Sequence, residues 1–295
     1  MNGHLEQVAG YYDRMTETYL QYGGSTLGWH FGLWADPPGS FEDALMCSNR
    51  TLTEGCDLRP GQLVLDAGCG VGGLAFFLAR TFGVNVVGIT VCQRHVDMAT
   101  QFAGERGLSH QVRFRNLDFM NLDFEDESFD FAFNQESLCY ATSNEDYLTG
   151  IHRILRPGGR WQAVDGFLND RPLTQEEEET HSTVQRGWKI APLTPVRVIQ
   201  STLSKIGFVD VCSKDLSEMA YPSAFAVIRN SVLTSRKTGA VRSMPCQEES
   251  TLFMEHNSAG TAFSYGLFRG VFTYNLVGGA KRQGGPNRAG RSRPL

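Results

Sequence analysis

The stretch Val64-Leu-Asp-Ala-Gly-Cys-Gly-Val-Gly-Gly73 constrains this 295-residue chain more than any other. Leu63, Val64 and Leu65 read as the end of a short buried strand, and Leu74-Ala-Phe-Phe-Leu-Ala-Arg80 has helical character. A strand that turns into a helix through several glycines lets the backbone lie flat against a ligand and aims the helix N-terminus at it. Asp66, just ahead of the glycines, adds an acceptor for a cationic or hydroxylic group. The combination predicts a nucleotide-like ligand with a positively charged end.

Gly68, Gly70 and Gly73 also satisfy the dinucleotide pattern G-x-G-x-x-G. A dinucleotide site further requires an acid about 20 residues on, at the end of the second strand. Here that strand, Val84-Asn-Val-Val-Gly-Ile-Thr90, ends in threonine, which disfavours NAD.

Strands and helices then alternate. Strand 62–66 leads to helix 73–82, strand 84–90 to helix 92–106, and strand 112–116 to an acidic loop and strand 129–133. Helix 144–155 ends at Arg156-Pro-Gly-Gly159, ahead of strand 160–165. This rhythm predicts a parallel doubly wound sheet. It is preceded by a tyrosine-rich helix stopped at Gly23-Gly24, an aromatic loop Gly28–Trp34 before Pro37-Pro38, and a helix over 40–55 with Ser40 as N-cap. Beyond 166, a helix is expected to open at 174–179, with further helices at 194–205, 217–236 and 247–268 and strands at 208–212 and 271–280. Thr174-Gln-Glu-Glu-Glu-Glu179 reads as a helical first turn favoured by the helix dipole, not as a metal site.

A net charge of −5 gives no electrostatic footprint for nucleic acid. No run approaches a membrane span, and no N-terminal apolar stretch resembles a signal peptide. The seven cysteines are scattered without a C-x-x-C pair, so neither zinc nor a disulfide framework is expected, and the chain reads as cytoplasmic.

The order of landmarks resembles class I S-adenosylmethionine-dependent methyltransferases. They are the glycine turn 66–73, Asp118-Phe-Met120 after the third strand, the fourth strand Phe129–Phe133, and Leu155-Arg-Pro-Gly-Gly159 before the fifth. Gly88-Ile-Thr-Val-Cys-Gln93 and Asn134-Gln-Glu-Ser137 narrow the resemblance to the sterol, tocopherol and terpenoid C-methyltransferase group, including geranyl diphosphate and teleocidin-type C-methyltransferases. The resemblance implies an α/β fold: a Rossmann-like doubly wound sheet with a helical lid and an N-terminal helical cover. The expected divisions are a cover over 1–39, a methyltransferase domain over 40–282 with lid insertions at about 167–200 and 217–268, and a disordered tail over 283–295.

The cofactor implied is S-adenosyl-L-methionine, with Asp66, Gly68, Cys69, Gly70, Thr90, Gln93, Asp118, Phe119, Gln135 and Tyr19 as candidate contacts. The reaction implied is methylation of an alkene carbon in a small hydrophobic prenyl or terpenoid substrate, in specialised biosynthesis. A small-molecule N- or O-methyltransferase is the alternative. Alkene methylation leaves a carbocation, so its site needs aromatic faces and a carboxylate base. Glu136 follows the fourth strand at the edge where open α/β sheets bind ligands. Asp165, at the end of the fifth strand, and His181, in the lid, are the other catalytic candidates. Trp29, His30, Trp34, Tyr140, Trp188, Tyr221 and Phe225 are expected to line the substrate pocket, together with Phe31. No metal and no membrane insertion are expected; a homo-oligomer is. Arg186, Lys189 and Arg197 are the lid cations available should the substrate carry a diphosphate.

Overall fold

The computed structural model describes residues 3–35, 39–236 and 247–284; Pro37-Pro38 and most of the expected tail, 285–295, lie outside them. Seven strands form one sheet in the order β3-β2-β1-β4-β5-β7-β6. They are β1 (Leu63–Ala67), β2 (Asn85–Thr90), β3 (Val112–Asn116), β4 (Phe129–Gln135), β5 (Leu155–Leu168), β6 (Phe208–Asp215) and β7 (Phe272–Lys281). β1 to β5 pair in parallel. The order reverses between β1 and β4, the switch point at which open α/β sheets hold ligands.

The expectation of a parallel sheet fails at one edge. β7 runs antiparallel to β5 from Arg160↔Ala280 to Leu168↔Phe272, and antiparallel to β6 as well. β5 is also longer than expected: it starts at Leu155 and carries Pro157 and the glycines through a register irregularity opposite Phe129/Phe131.

Alternation along the strands sorts the core onto two faces. Val64, Phe131, Phe133, Val164 and Leu276 face one cluster, with α3 (Gly73–Phe82), α8 (Ser217–Arg236) and the last helix. Leu65, Ala132, Ala163 and Val277 face the other, with α5 (Asn144–Ile154) and α7 (Val196–Ile206).

Ser40 and Asp43 form a capping box that starts α2 (Phe41–Leu52), which stops three residues earlier than the glycine signal suggested. α4 spans Gln93–Glu105. Thr174 and Glu177 cap α6 (Gln175–Trp188) in the same way. Glu177 also pairs with Arg171, which holds its carboxyl down to about 2, so this part of the glutamate run is a capped, ion-paired first turn. α6, α8 and α9 (Gln247–Phe268) pack together as the helical lid. α1 (Gly3–Gly23) lies across it, with Tyr11 fully buried against Leu252 of α9.

Candidate active site

Two cavities open at the C-terminal edge of the sheet. The first, of about 950 Å³ counted out to its mouth, lies over the glycine turn. Gly68 takes φ +88°, and a side chain there would collide with Ser137 Cβ at 2.3 Å. At Gly73, a Cβ would meet the Leu27 and Thr26 carbonyl oxygens at 2.7 and 2.9 Å. Only glycine lets the turn, the loop after β4 and the aromatic loop meet this closely.

Asp66, Gly68, Cys69, Gly70, Thr90, Asp118, Phe119 and Gln135 all line this cavity. Asp66 is 2 % exposed, and its Oδ2 has no hydrogen-bond partner among the described residues. Burial pushes its carboxyl up to about 7, against the Ala75 backbone N–H. A buried carboxylate oxygen without a donor is costly unless a cation completes it. Asp118 accepts from Met120 N at 2.9 Å and caps a short helical turn, with Phe119 packed on Tyr147.

Two expected contacts lie elsewhere. Gln93 is an exposed first residue of α4; its amide donates to Asp97 and its carbonyl accepts from Asn116, so it stays outside the cavity. Tyr19 stands in the second cavity, because its ring stacks on Trp29 at 5.0 Å.

The second cavity holds about 1730 Å³ out to its mouth and lies between α1, the lid and the ends of β5 and β7. Tyr12, Trp29, His30, Glu136 and Tyr140 line both cavities and form the wall between them. The Tyr12 hydroxyl lies 2.9 Å from that of Tyr140, which donates to the Trp188 carbonyl. Tyr11 lies 2.9 Å from the Tyr19 hydroxyl and 2.7 Å from His256 Nδ1, tying α1 to α9. Trp188, Phe31 and Asp165 line the second cavity.

Glu136 sits at the junction with φ +48°, an uncommon conformation for a side-chain-bearing residue and one enriched at functional sites. The loop around it is held by Asn134. Its amide N–H groups donate to Ala67 O and Ser137 Oγ, and its oxygen accepts from Tyr147 and Trp161. Glu136 Oε1 accepts from Phe31 N at 2.7 Å and from the Tyr274 hydroxyl at 2.6 Å. Burial raises its carboxyl to about 7, with those two donors pulling down and Asp165 pushing up. Asp165 itself is raised to about 6 by burial, although it accepts from Gly166 N and Cys139 N. Burial lowers His30 to about 4, so its ring is neutral, with Nδ1 donating to the Phe31 carbonyl.

Four other candidates stand outside both cavities. His181 Nε2 accepts from Leu193 N at 3.1 Å, and its ring packs on Phe272. Trp34 donates to Ser223 Oγ and packs on Phe41. Tyr221 packs on Phe268, and Phe225 is 61 % exposed. In each case helix register or a local hydrogen bond turns the side chain away. Tyr274, His256 and His95 line the cavities without a signal in the sequence motifs. His95 is buried beneath Trp29 and Tyr12, with Nε2 at 3.1 Å from Thr16 Oγ1.

A family profile described as a methyltransferase domain matches residues 64–159. The sterol 24-C-methyltransferase ERG6 of Saccharomyces cerevisiae is 31 % identical over 220 residues, covering 74 % of this chain and 57 % of that protein. The sterol 24-C-methyltransferase of Pneumocystis carinii is 30 % identical over 216 residues, covering 72 % and 56 %. The chain thus spans little more than half the length of the curated relatives it matches. Among solved structures, the [4+2]-cyclase SpnF superposes with a TM-score of 0.79 at 24 % identity, covering 95 % of this chain and 97 % of that one. Geranyl diphosphate C-methyltransferase from Streptomyces coelicolor A3(2) gives 0.73 at 19 %, covering 95 % and 98 %. Through the domain at its centre, the chain belongs to the class I S-adenosylmethionine-dependent methyltransferases.

Proposed function

We propose that the chain is an S-adenosylmethionine-dependent C-methyltransferase acting on an alkene carbon of an uncharged sterol or terpenoid. The observation that carries this reading is Glu136, a half-buried residue whose carboxyl stands at the junction of a glycine-turn cavity and a larger aromatic one. The division into a cover over 1–39, a domain over 40–282 with its lid insertions, and a tail over 283–295 belongs to the same proposal.

S-Adenosylmethionine, when bound, supplies an electrophilic methyl group and carries an ammonium. Asp66 answers the ammonium, since its unpartnered Oδ2 requires a positive or donating group. Gly68, Cys69 and Gly70 present backbone, Thr90 serves the ribose side, and Asp118 and Phe119 serve the base.

With the cofactor bound, the alkene π pair would form the new carbon–carbon bond as the methyl–sulfur bond breaks and S-adenosylhomocysteine leaves, and the positive charge would move to the neighbouring substrate carbon. The rings of Trp29, Tyr12 and Tyr140 stand at the junction, with Tyr19 on the second cavity's side, and aromatic rings attract such a charge. Glu136 then accepts the proton released as the cation closes to an alkene. Asp165, in the same cavity, is the second acid.

The sterol relatives favour a sterol-like substrate, and the wall chemistry favours a neutral one. The ionisable acids on the wall are Glu136 and Asp165, and no lysine or arginine lines the cavity among the described residues. Lys189 pairs with Glu255 and Arg197 with Asp170, while Arg186 bonds Thr183; none of the three faces the cavity.

The test is product analysis with methyl-labelled cofactor against sterols, terpenoid alcohols and prenylated aromatics. Label on carbon supports the reading. Label on nitrogen or oxygen transfers support to the N- or O-methyltransferase alternative.

A further inference from the structure

The sequence motifs supply Glu136 but nothing that aims it. Its two oxygens are not equivalent in the structure. Oε1 accepts both of the residue's hydrogen bonds, from Phe31 N and Tyr274 Oη, whereas Oε2 takes none from any described residue. Tyr274 is itself rigidly placed. It is 1 % exposed and sits opposite Gly166 in the antiparallel β5–β7 ladder; its carbonyl accepts from Leu216 N and its N–H donates to Ser217 Oγ. Its ring packs on Phe31, so the two donors to Oε1 brace each other.

We infer that Tyr274 is the positioning residue of the proposed base, clamping Glu136 Oε1 so that Oε2 is the oxygen that takes the substrate proton. The inference rests on the reading of Glu136 given above. A carboxylate held by one oxygen keeps one rotamer and one exposed lone-pair edge, which fixes the direction of proton transfer. A donor to the ionised form also favours that form, so the same bond keeps Glu136 a carboxylate nearer neutral pH.

Other groups facing Glu136 do not duplicate this. Burial holds Tyr12, Tyr19, Tyr22 and Cys139 above their ordinary values and therefore neutral. Tyr140 is raised likewise, and His30 is kept neutral by burial. Asp165 alone also titrates near neutrality, and its like charge opposes ionisation of Glu136 where Tyr274 assists it.

The experiment compares Tyr274→Phe, Glu136→Gln and the double variant. At saturating cofactor, the acid limb of kcat/KM in Tyr274→Phe should move up by about one pH unit, the scale of one hydrogen bond to a charged group. Plateau kcat should fall roughly tenfold, within the range of a misaligned base, with S-adenosylhomocysteine affinity little changed. In the Glu136→Gln background, Tyr274→Phe should add less than about a twofold loss, because a residue that acts only through its partner is silent without it. A stronger donor, 3,5-difluorotyrosine placed at 274, should move the limb down and keeps the fold if the phenylalanine variant loses it. An unmoved limb in both variants, or losses that multiply in the double variant, overturns the inference. Wild-type turnover in Glu136→Gln would instead remove the reading of Glu136 on which it rests.

Discussion

The Tyr274 hydroxyl donates a 2.6 Å hydrogen bond to Glu136 Oε1 from a strand 138 residues further along the chain. The proposed base therefore depends on the antiparallel end of the sheet as much as on the loop that carries it. With burial raising its carboxyl to about 7, the proposed base Glu136 changes charge near neutral pH.

The role proposed for Asp66 predicts pH-dependent cofactor binding. Its carboxyl is raised to about 7 by burial, and a bound ammonium favours the ionised form. Affinity for S-adenosylhomocysteine should therefore fall as pH drops below about 7, by up to about tenfold per unit until the bound-state value is reached. Calorimetry in buffers of different ionisation enthalpy should show proton release on binding below that pH. Binding that is equally tight and releases no protons across the range contradicts the role given to Asp66, as does full affinity in Asp66→Ala.

The proposed preference for an uncharged substrate follows from the acids of the large cavity. Uncharged sterols or terpenoid alcohols should be turned over, and their diphosphate counterparts should bind at least about tenfold more weakly, since like charges in a low-dielectric site repel. Competition assays with matched alcohol and diphosphate pairs measure this. Preferred turnover of the diphosphate contradicts it.

His181 separates structure from catalysis. Its Nε2 receives the Leu193 N–H, so His181→Ala should cost about 1–2 kcal/mol by leaving that N–H unpaired. Turnover per folded molecule should stay close to wild type, as read by denaturant unfolding and steady-state kinetics together. A rate loss without a stability loss would return His181 to the active site.

The parallel half of the molecule was legible because each element announces itself locally. The Ser40 cap, the glycine turn, and the short apolar strands at 63–67 and 129–135 all carry their own signals. The first cavity was legible for the same reason: Asp66, Thr90 and Asp118 each end or follow a strand on one sheet edge. The second cavity was legible in part: Trp29, His30, Phe31, Tyr140 and Trp188 line it as expected, but the rest of its wall was not, because lid helices read alike from either face. Phe225 and Tyr221 look like pocket residues in sequence, yet the packing of α8 turns them to the outer face and to Phe268. Tyr274 and His256 were illegible because their roles come from pairings across 138 and 245 residues, which no local pattern encodes. The tyrosine-rich start was expected to form a helical cover, with Tyr19 at the cofactor. Tyr12 does line both cavities, but Tyr19 faces only the second and Tyr11 ties the helix to α9.

The central claim is that Glu136 takes a proton from a cation formed by methylating carbon. Its most direct test is single-turnover product analysis of Glu136→Gln with methyl-labelled S-adenosylmethionine. The glutamine keeps size and hydrogen bonding but loses charge and basicity. The account predicts a carbon-labelled product in the wild type and a loss of turnover of roughly 10² or more in the variant, the scale of a general base, with unchanged cofactor affinity. Wild-type rate and product from Glu136→Gln, or label on oxygen or nitrogen in the wild type, would contradict it.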